Sequence, residues 1–349
     1  MRFSRVSLES WGYELPQAVL TSQEIEKRLF PLCQRLGLPS GFFEIFTGIR
    51  ERKYWDKTVL PSEKGILSAK TALSRAGIQP STIDCLIHVS VSRDCLEPAT
   101  AGIVHHGLGL PTSSMFFDLS NACLGFLNGA VILAHMIELG TIKRGLLVGT
   151  ENASKMIEIT IDALLKNPNL TLEEAYEYLP SLTLGCGSAA MIFAEKSVAK
   201  KGHDFLGAIA RSASEFHGAC RAHPDSGLLD PIAGLTMKTN ATLLMQEATR
   251  LAGKTWEDFK SEIGWENENI QHIFTHQVGR MPREEMIKAL KVSANLDFPT
   301  FPFLGNMGSA SLPISFAMGI EKRKVSEGDN IALLGFGSGI NCLFAAVKW

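Results

Sequence analysis

The sequence predicts a mixed α/β fold in which two similar halves pack as one body. Short apolar runs alternate with longer stretches whose apolar residues recur at helical spacing. In addition, Ile83–Arg93 (IDCLIHVSVSR) aligns without gaps on Ile270–Arg280 (IQHIFTHQVGR). A chain of 349 residues is long enough either for two domains or for one large duplicated unit.

The alternation is regular enough to assign individual elements. Apolar runs bounded by Gly, Asp or Asn are predicted to be buried strands. In chain order these are Cys85–Val91, Gly145–Val148, Ala189–Phe193, His272–Phe274 and Ile331–Leu334. Stretches with helical spacing are predicted at Glu63–Ala76, Leu124–Leu139, Ala241–Ala252 and Arg283–Leu290.

Two further matches place the repeat at a nearly constant offset of about 186 residues. Asn121 aligns with Asn306, and Leu147-Val148-Gly149 aligns with Leu333-Leu334-Gly335. This period is far longer than that of a solenoid, so it indicates duplication of a whole half. The charged stretch Lys196–Gly202 suits the boundary, which gives halves of residues 1–200 and 201–349.

Composition argues against several classes of protein. The chain has 34 basic and 36 acidic residues, so no global field favours nucleic acid or an anionic membrane. Charged residues interrupt every apolar run before it reaches the roughly 18 to 20 residues of a membrane span. The N-terminus lacks the apolar core of a secretory signal. We therefore expect a soluble cytoplasmic protein.

The seven cysteines are scattered along the chain and form no Cys-x-x-Cys pair. An odd, scattered set fits reduced thiols of the cytoplasm better than a disulfide framework or a structural zinc site. We expect neither a metal nor a redox cofactor.

Cys123 is the candidate nucleophile. It lies in FFDLSNACLGFLNGA, where a strand is predicted to end at Asp118–Ser120 and an apolar helix to begin. Amides at a helix N-terminus favour the thiolate, which is the nucleophilic form of cysteine. Most free cysteines are simply small buried hydrophobic residues, and inert folds also contain strand-to-helix elbows, so this segment alone leaves both interpretations open.

His276 and Asn306 are the candidate partners of Cys123. His276 follows the predicted strand HIFT, and Asn306 lies in the Gly-rich segment FLGNMGSASLP before a helix. Taken singly, each suits a structural role, as a satisfied histidine or as a turn asparagine. In the repeat, Asn306 aligns with Asn121, which is close to Cys123, and His276 follows the strand that matches the one before Glu97. The duplication therefore brings these segments of the two halves to comparable places in the fold. We expect one shared cleft.

A cysteine, a histidine and an asparagine suit acyl-thioester chemistry. The thiolate would take an acyl group, while His276 and Asn306 would donate hydrogen bonds to the carbonyl oxygen of a second thioester as it becomes an enolate. The backbone amides of Cys123 and Ser338, the latter in the turn GFGSG, would form an oxyanion hole for the first acyl group. GFGSG equally suits an ordinary turn after a strand.

Several segments resemble the condensing enzymes of the thiolase superfamily, in particular the ketoacyl synthase III type. They are TGIRER, DLSNACLGFLNGA, LGCGSAAM, THQVGR, LGNMGSASLP and ALLGFGSG, and the match spans nearly the whole chain. The resemblance implies a five-layered αβαβα fold, a homodimer, CoA thioesters as substrates without a further cofactor, and a triad of Cys123, His276 and Asn306.

The segment SVSRDCLEPATA resembles a branch that joins two fatty acyl-CoA molecules head to head at the start of bacterial long-chain olefin synthesis. The resemblance implies that Glu97 reaches across the dimer interface and acts as the base in the partner's site. Joining two plain acyl thioesters requires removal of an α-proton, whereas a decarboxylating condensation does not. Glu97 before Pro98 also suits a solvated carboxylate at a helix start.

The chain also departs from the ordinary type III synthases. Phe42 and Phe46 stand where those enzymes usually have tryptophan and arginine, which puts standard carrier-protein binding in doubt. Other groups, such as Arg280 or Arg221, could still hold CoA, and the sequence does not assign the CoA contacts. The stretch Met156–Leu182 suits either an alkyl channel or an amphipathic surface helix pair.

The leading hypothesis is a non-decarboxylative Claisen condensation of two fatty acyl-CoA molecules to a 2-alkyl-3-ketoacyl thioester or acid. The enzymatic alternative is a decarboxylating 3-oxoacyl synthase III, which would need a malonyl thioester and be indifferent to Glu97. A non-catalytic scaffold would tolerate loss of the triad. The sequence leaves open the acyl chain length and whether later olefin-pathway enzymes bind this chain.

Overall fold

A computed structural model describes residues 1–222 and 236–349. The strands are β1 (Val6–Glu14), β2 (Val19–Thr21), β3 (Glu51–Lys53), β4 (Cys85–Val89), β5 (Met115–Leu119), β6 (Arg144–Glu151), β7 (Gly187–Glu195), β8 (His203–Ser212), β9 (Cys220–Ala222), β10 (Met237–Thr239), β11 (His272–Thr275), β12 (Asn330–Gly337) and β13 (Asn341–Lys348). The helices are α1 (Ser22–Arg28), α2 (Phe30–Arg35), α3 (Phe42–Thr47), α4 (Pro61–Ala76), α5 (Thr100–Leu108), α6 (Gly125–Glu138), α7 (Ser154–Lys166), α8 (Leu172–Leu182), α9 (Ala241–Ile263), α10 (Arg280–Leu290), α11 (Phe301–Leu304) and α12 (Ser311–Lys322).

The elements predicted from periodicity are all present, with differences at their ends. The largest difference is in α9, which continues to Ile263 instead of ending at Ala252. It ends at Gly264, whose φ of 81° lies in the left-handed region that glycine adopts without strain. In the continuation, the buried residues Trp256 and Phe259 are separated by charged residues. The apolar face is therefore narrow there, and the helical spacing of apolar residues is harder to recognise in the sequence.

The nine long strands form one hydrogen-bonded sheet in the order β11-β12-β13-β8-β1-β7-β6-β4-β5. In the first half β1, β7 and β6 pair antiparallel, while β6, β4 and β5 pair parallel. The second half repeats this pattern with β8, β13, β12 and β11. On the outer side of β11, an isolated parallel bridge between Ile273 and Asp297 takes the position that β5 has beside β4 in the first half. This equivalence is what a duplication produces, although the boundary at residue 200 stays a prediction.

Alternation along the strands divides the interior into a central core and two outer cores. In β12, Ile331 and Leu333 join the central core, whereas Leu334 joins an outer core with α9 and α10. In β6, Leu147 faces the central core and Leu146 the other outer core, formed with α4 and α5. The two halves of the sheet therefore enclose a common core.

Helices α6 and α12 lie in that central core and are buried on nearly all sides. They contact strands of both halves, while α4 and α5 cover one outer face and α9 and α10 cover the other. The order helix, sheet, helix, sheet, helix confirms the expected five-layered αβαβα fold. Within the described ranges, no helix is both long enough and apolar enough to cross a membrane.

Helices α1, α2, α3, α7 and α8 form a separate apolar cluster beside the five layers. It includes Phe42, Ile157, Ile161 and Leu182, and a small pocket within it is lined by apolar side chains such as Leu32 and Leu179. The apolar faces of α7 and α8 are therefore covered by other helices of the same chain. Whether this region also accommodates an alkyl chain stays a prediction.

Candidate active site

Cys123 lies where the chain turns from β5 into α6. Ala122–Leu124 forms a 3-10 turn, and Ala122 adopts a φ of 45°, which is costly for a residue with a Cβ atom. Cys123 keeps an intermediate exposure, although most of its surroundings are buried. The expected strand-to-helix elbow is therefore present, and its strained backbone presents the thiol at the start of the helix.

The surroundings of Cys123 raise the pKa of its thiol. Burial, the negative charge of Glu151 and the neighbouring Cys220 raise the pKa of Cys123 to about 12, and only a backbone hydrogen bond opposes them. Desolvation, the largest cause, disfavours the charged form and outweighs the stabilisation of a thiolate by the helix N-terminus. Cys123 is therefore a neutral thiol at pH 7.

An asparagine network joins the Cys123 turn to the GFGSG turn. Asn121 Nδ2 donates to Asn128 Oδ1 at 2.8 Å and to Asn341 Oδ1 at 3.2 Å. Asn341 Nδ2 in turn donates to the Ser338 carbonyl at 2.9 Å. The turn that carries Ser338 is thereby held against the Cys123 turn, while the role of the Ser338 amide in an oxyanion hole stays a prediction.

His276 directly follows β11 and is buried. Its backbone N–H donates to the Leu334 carbonyl at 3.0 Å, so it stands beside β12, which packs against the Cys123 turn. Burial lowers the pKa of His276 to about 4, so the imidazole is neutral at pH 7. Nδ1 is buried and has no hydrogen-bond partner in the part of the chain that the structure describes. A neutral imidazole still has one N–H to donate.

Asn306 is held with its side-chain oxygen turned inward. Its Oδ1 accepts hydrogen bonds from the Gly308 N–H at 3.0 Å and from Ser311 Oγ at 3.4 Å. Its backbone pairs with Thr183 at 2.9 Å and with Gly185 at 2.8 Å. Because the oxygen is used in this way, the Nδ2 amino group is the part of the side chain left to donate to a ligand.

Gly185 explains why the LGCGSAAM segment contains a glycine at this point. A Cβ atom there would lie 2.3 Å from the backbone oxygen of Leu304, closer than any real contact. The glycine therefore lets this segment approach the chain immediately before Asn306.

Three of the predicted site segments lie side by side. The Ala122–Leu124 turn contacts β12 and also the Gly308–Ala310 turn that follows Asn306. His276 follows β11, the strand that pairs with β12. The arrangement brings a thiol, a neutral imidazole and a carboxamide to one region between the two halves of the sheet. Their catalytic roles stay predictions.

Glu97 is exposed in the loop between β4 and α5. The first part of this loop is anchored, since Asp94 Oδ1 accepts a hydrogen bond from the Ser62 N–H at 2.9 Å. Residues 96–98, by contrast, are exposed. The single chain thus presents Glu97 outward, and its proposed action in a partner's site stays a prediction.

Sequence reasoning missed one residue of the site, Glu151 at the end of β6. Its buried carboxylate accepts hydrogen bonds from the backbone of Val91 and Ser92 and from the hydroxyls of Ser92 and Ser309. Burial raises its pKa, and these hydrogen bonds oppose that shift. The sequence did contain a signal, because the apolar run GLLVGTE ends in an acidic residue. Burying a carboxylate at the end of such a strand is costly unless hydrogen-bond donors surround it.

The groups considered for CoA binding differ in their exposure. Phe42 is buried in the helical cluster, whereas Phe46 is exposed and packs against Tyr176. The Arg280 side chain donates to the Ile45 carbonyl. In residues 1–222 and 236–349, no group of His, Cys, Asp or Glu is arranged to hold a metal ion.

Comparison with known proteins decides the family. Models of 3-oxoacyl-[acyl-carrier-protein] synthase III and of its C-terminal part match residues 117–169 and 261–349. An acyl-CoA:acyl-CoA alkyltransferase of Shewanella oneidensis is 37% identical, and one of Xanthomonas campestris is 38% identical, each over 100% of both chains. The chain belongs to the acyl-CoA:acyl-CoA alkyltransferase family. It is thus a 3-oxoacyl synthase III-like condensing acyltransferase.

The solved structures agree with this family. Xanthomonas campestris OleA with bound lauric acid and lauroyl-CoA has a TM-score of 0.93 and 38% identity, covering 99% of this chain and 100% of that chain. Structures of the same OleA have been solved with a cysteine, a histidine or a glutamate replaced. The thiolase fold inferred from the sequence is therefore confirmed.

Proposed function

We propose that this enzyme joins two fatty acyl-CoA molecules by a non-decarboxylative Claisen condensation. The observation that carries the proposal is the full-length identity of 37% and 38% to two acyl-CoA:acyl-CoA alkyltransferases. The geometry supports it, because a thiol and two hydrogen-bond donors meet in one region. The product is a 2-alkyl-3-ketoacyl thioester or the acid released from it.

The first half-reaction transfers one acyl group to Cys123. The sulfur attacks the thioester carbonyl, the carbon–sulfur bond to CoA breaks, and the thiol proton leaves with CoA as its free thiol. Amides of Cys123 and Ser338 stabilise the oxyanion that forms during the attack. Because the resting Cys123 is a neutral thiol, its proton must depart as the new bond forms.

The second half-reaction forms the carbon–carbon bond. The partner subunit's Glu97 removes the α-proton of a second acyl-CoA, and the neutral imidazole of His276 and Asn306 Nδ2 hydrogen-bond the resulting enolate oxygen. The α-carbon attacks the acyl group on Cys123, and the sulfur leaves and regains a proton. Neutral donors suit this task, since an imidazolium would pass its proton to the enolate more readily.

A homodimer completes this site. Strand β5 forms one edge of the sheet, and its Met115 and Phe116 are 48% and 47% exposed. Leu96, next to Glu97, is 58% exposed. An unpaired edge flanked by exposed apolar side chains is a common pairing surface between protein chains. Pairing along β5 would bring the Glu97 loop towards the partner.

The biological setting that we propose is the start of bacterial long-chain olefin synthesis, in the cytoplasm. The support is the resemblance of the Glu97 segment to that branch of the superfamily, together with the free state of all seven cysteines. Later enzymes of the same pathway are the expected protein partners.

Replacing Glu97 by alanine tests the proposal. Acylation of Cys123 should continue, seen as a mass increase of the intact protein, while the condensed product should disappear because no base removes the α-proton. Glu268→Ala, which changes another exposed glutamate, is the matched control and should condense normally. Loss of acylation together with condensation in Glu97→Ala would count against the assigned role.

The alternative is a decarboxylating 3-oxoacyl synthase III, the type of enzyme after which both matching family models are named. That enzyme would require a malonyl thioester, and its condensation would not respond to Glu97→Ala.

A further inference from the structure

The carboxylate of Glu151 contacts two different segments with its two oxygens. Oε2 accepts hydrogen bonds from the Ser92 N–H at 3.1 Å and from Ser92 Oγ at 2.9 Å. Oε1 accepts from Ser309 Oγ at 2.7 Å, and the Val91 N–H lies within 3.0 Å of Oε1 and 3.2 Å of Oε2. A single side chain therefore joins the β4–α5 loop to the turn before α12.

Each of these segments carries a group of the proposed mechanism. Ser92 lies at the base of the loop that ends in exposed Glu97, and Ser92 Oγ also accepts from the Asn152 N–H at 2.8 Å. Ser309 lies in the turn that follows Asn306, where Gly308 approaches the Glu151 side chain closely.

A purely structural role explains this carboxylate poorly. Glu151 is 5% exposed, and none of the described salt bridges pairs it with a cation. A buried carboxylate without a cation is costly, and a neutral side chain could occupy the space at lower cost. The carboxylate provides two acceptor oxygens, each directed at a different segment, whereas a neutral amide has only one.

We propose that Glu151 is a positioning residue that orients both the loop presenting Glu97 and the turn that follows Asn306. The inference rests on the proposed function and deepens it. Because Glu97 serves the partner's site and Asn306 serves the chain's own site, the two sides of Glu151 act on different active sites of one dimer. Removing the hydrogen bond from Ser92 should lower condensation in the partner's site. Removing the hydrogen bond from Ser309 should lower condensation in the chain's own site.

Heterodimers with one working site separate these effects. One chain carries Cys123→Ala and supplies Glu97, while the other carries Glu97→Ala and supplies Cys123, and different affinity tags allow the mixed dimer to be purified. Only the site with both groups can condense myristoyl-CoA. Inactivity of this parent heterodimer would refute the cross-dimer base itself, and with it the inference that rests on it.

Ser92→Ala is then added to one chain at a time. In the Cys123→Ala chain it should lower the condensation rate about tenfold, the size expected for one hydrogen bond to a charged group. In the Glu97→Ala chain the rate should not change. Ser309→Ala should lower the rate when it is in the Glu97→Ala chain and should not change the rate when it is in the Cys123→Ala chain. In both cases the rate of Cys123 acylation should stay within about twofold of the parent, as expected for a group that acts only in the second half-reaction.

Equal losses from either placement of Ser92→Ala would mean that it acts only on folding, and would overturn the proposal. Glu151→Gln provides a second measurement that does not depend on heterodimers. It keeps the shape of the side chain but can accept with only one oxygen, so it should lower the condensation rate more than the acylation rate. Equal loss of both rates, or loss of neither, would contradict a positioning role.

Discussion

The protonation state of Cys123 gives the most quantitative prediction. Burial and the charge of Glu151 raise the pKa of this thiol to about 12. At pH 8 the thiolate fraction is then about one in ten thousand, whereas an exposed cysteine with a pKa of about 8.5 is about one quarter ionised. The ratio of about two thousandfold is offset about 40-fold by the greater nucleophilicity of the more basic thiolate. Alkylation should therefore be about 50-fold slower than for a free thiol.

The assay is alkylation by iodoacetamide between pH 6 and pH 10, with the peptide that contains Cys123 quantified by mass spectrometry and glutathione as the reference thiol. The rate constant should rise about tenfold per pH unit without levelling off. Glu151→Gln removes a negative charge that disfavours the thiolate, so it should speed the reaction at every pH in this range. A plateau below pH 8 would refute the reasoning and show that the helix N-terminus stabilises the thiolate after all.

Three further predictions concern the other parts of the site. Replacing Asn306 by alanine should leave acylation intact and lower the condensation rate by about 10² to 10³, measured as product formed per acylated enzyme. Burial lowers the pKa of His276 to about 4, below the value of about 6.5 for an unfolded histidine. The folded protein therefore loses stability as the pH falls from 6.5 towards 4, because the unfolded chain takes up the proton first. At pH 5, denaturant titration should show a loss of unfolding free energy that is about 2 kcal/mol larger in the wild type than in His276→Asn. Gly185→Ala, whose Cβ would meet the Leu304 backbone oxygen at 2.3 Å, should lower the free energy of unfolding by about 1 to 3 kcal/mol.

The controls follow from the same structure. Gly253 lies within α9, where an added Cβ atom would meet no atom of another described segment within 4 Å, so Gly253→Ala should leave stability unchanged or increase it slightly. An Asn306→Ala enzyme that also fails to acylate Cys123 would contradict the division of labour. Equal acid sensitivity of the wild type and His276→Asn would contradict a buried neutral imidazole.

Local patterns were sufficient for the buried strands and longer helices that the sequence analysis names. Runs such as Gly145–Val148 and Ile331–Leu334 are apolar at every position because strands between two helical layers are buried on both faces. The repeat added what periodicity alone cannot supply, since it related the β4 segment to the β11 segment and so placed His276 near the Cys123 region. Strands β1, β8 and β13 were not predicted, and β1 and β8 join the two halves.

The electrostatics of the site could not be predicted in the same way. The pKa of Cys123 depends on Glu151 and on burial by surrounding layers, which are distant in sequence. Glu151 is itself satisfied by donors from Val91, Ser92 and Ser309, and no local pattern links these positions. Sequence predicts which residue types can react, but their protonation states follow from tertiary packing.

The central claim is that the enzyme condenses two plain acyl thioesters. The most direct measurement is mass spectrometry of the products after the purified protein is incubated with myristoyl-CoA, with and without malonyl-CoA. Myristoyl-CoA alone should yield the condensed β-keto acid or the ketone formed when that acid loses carbon dioxide. Condensation that appears only when malonyl-CoA is present would contradict the role of Glu97 as a base and place the enzyme with the decarboxylating synthases.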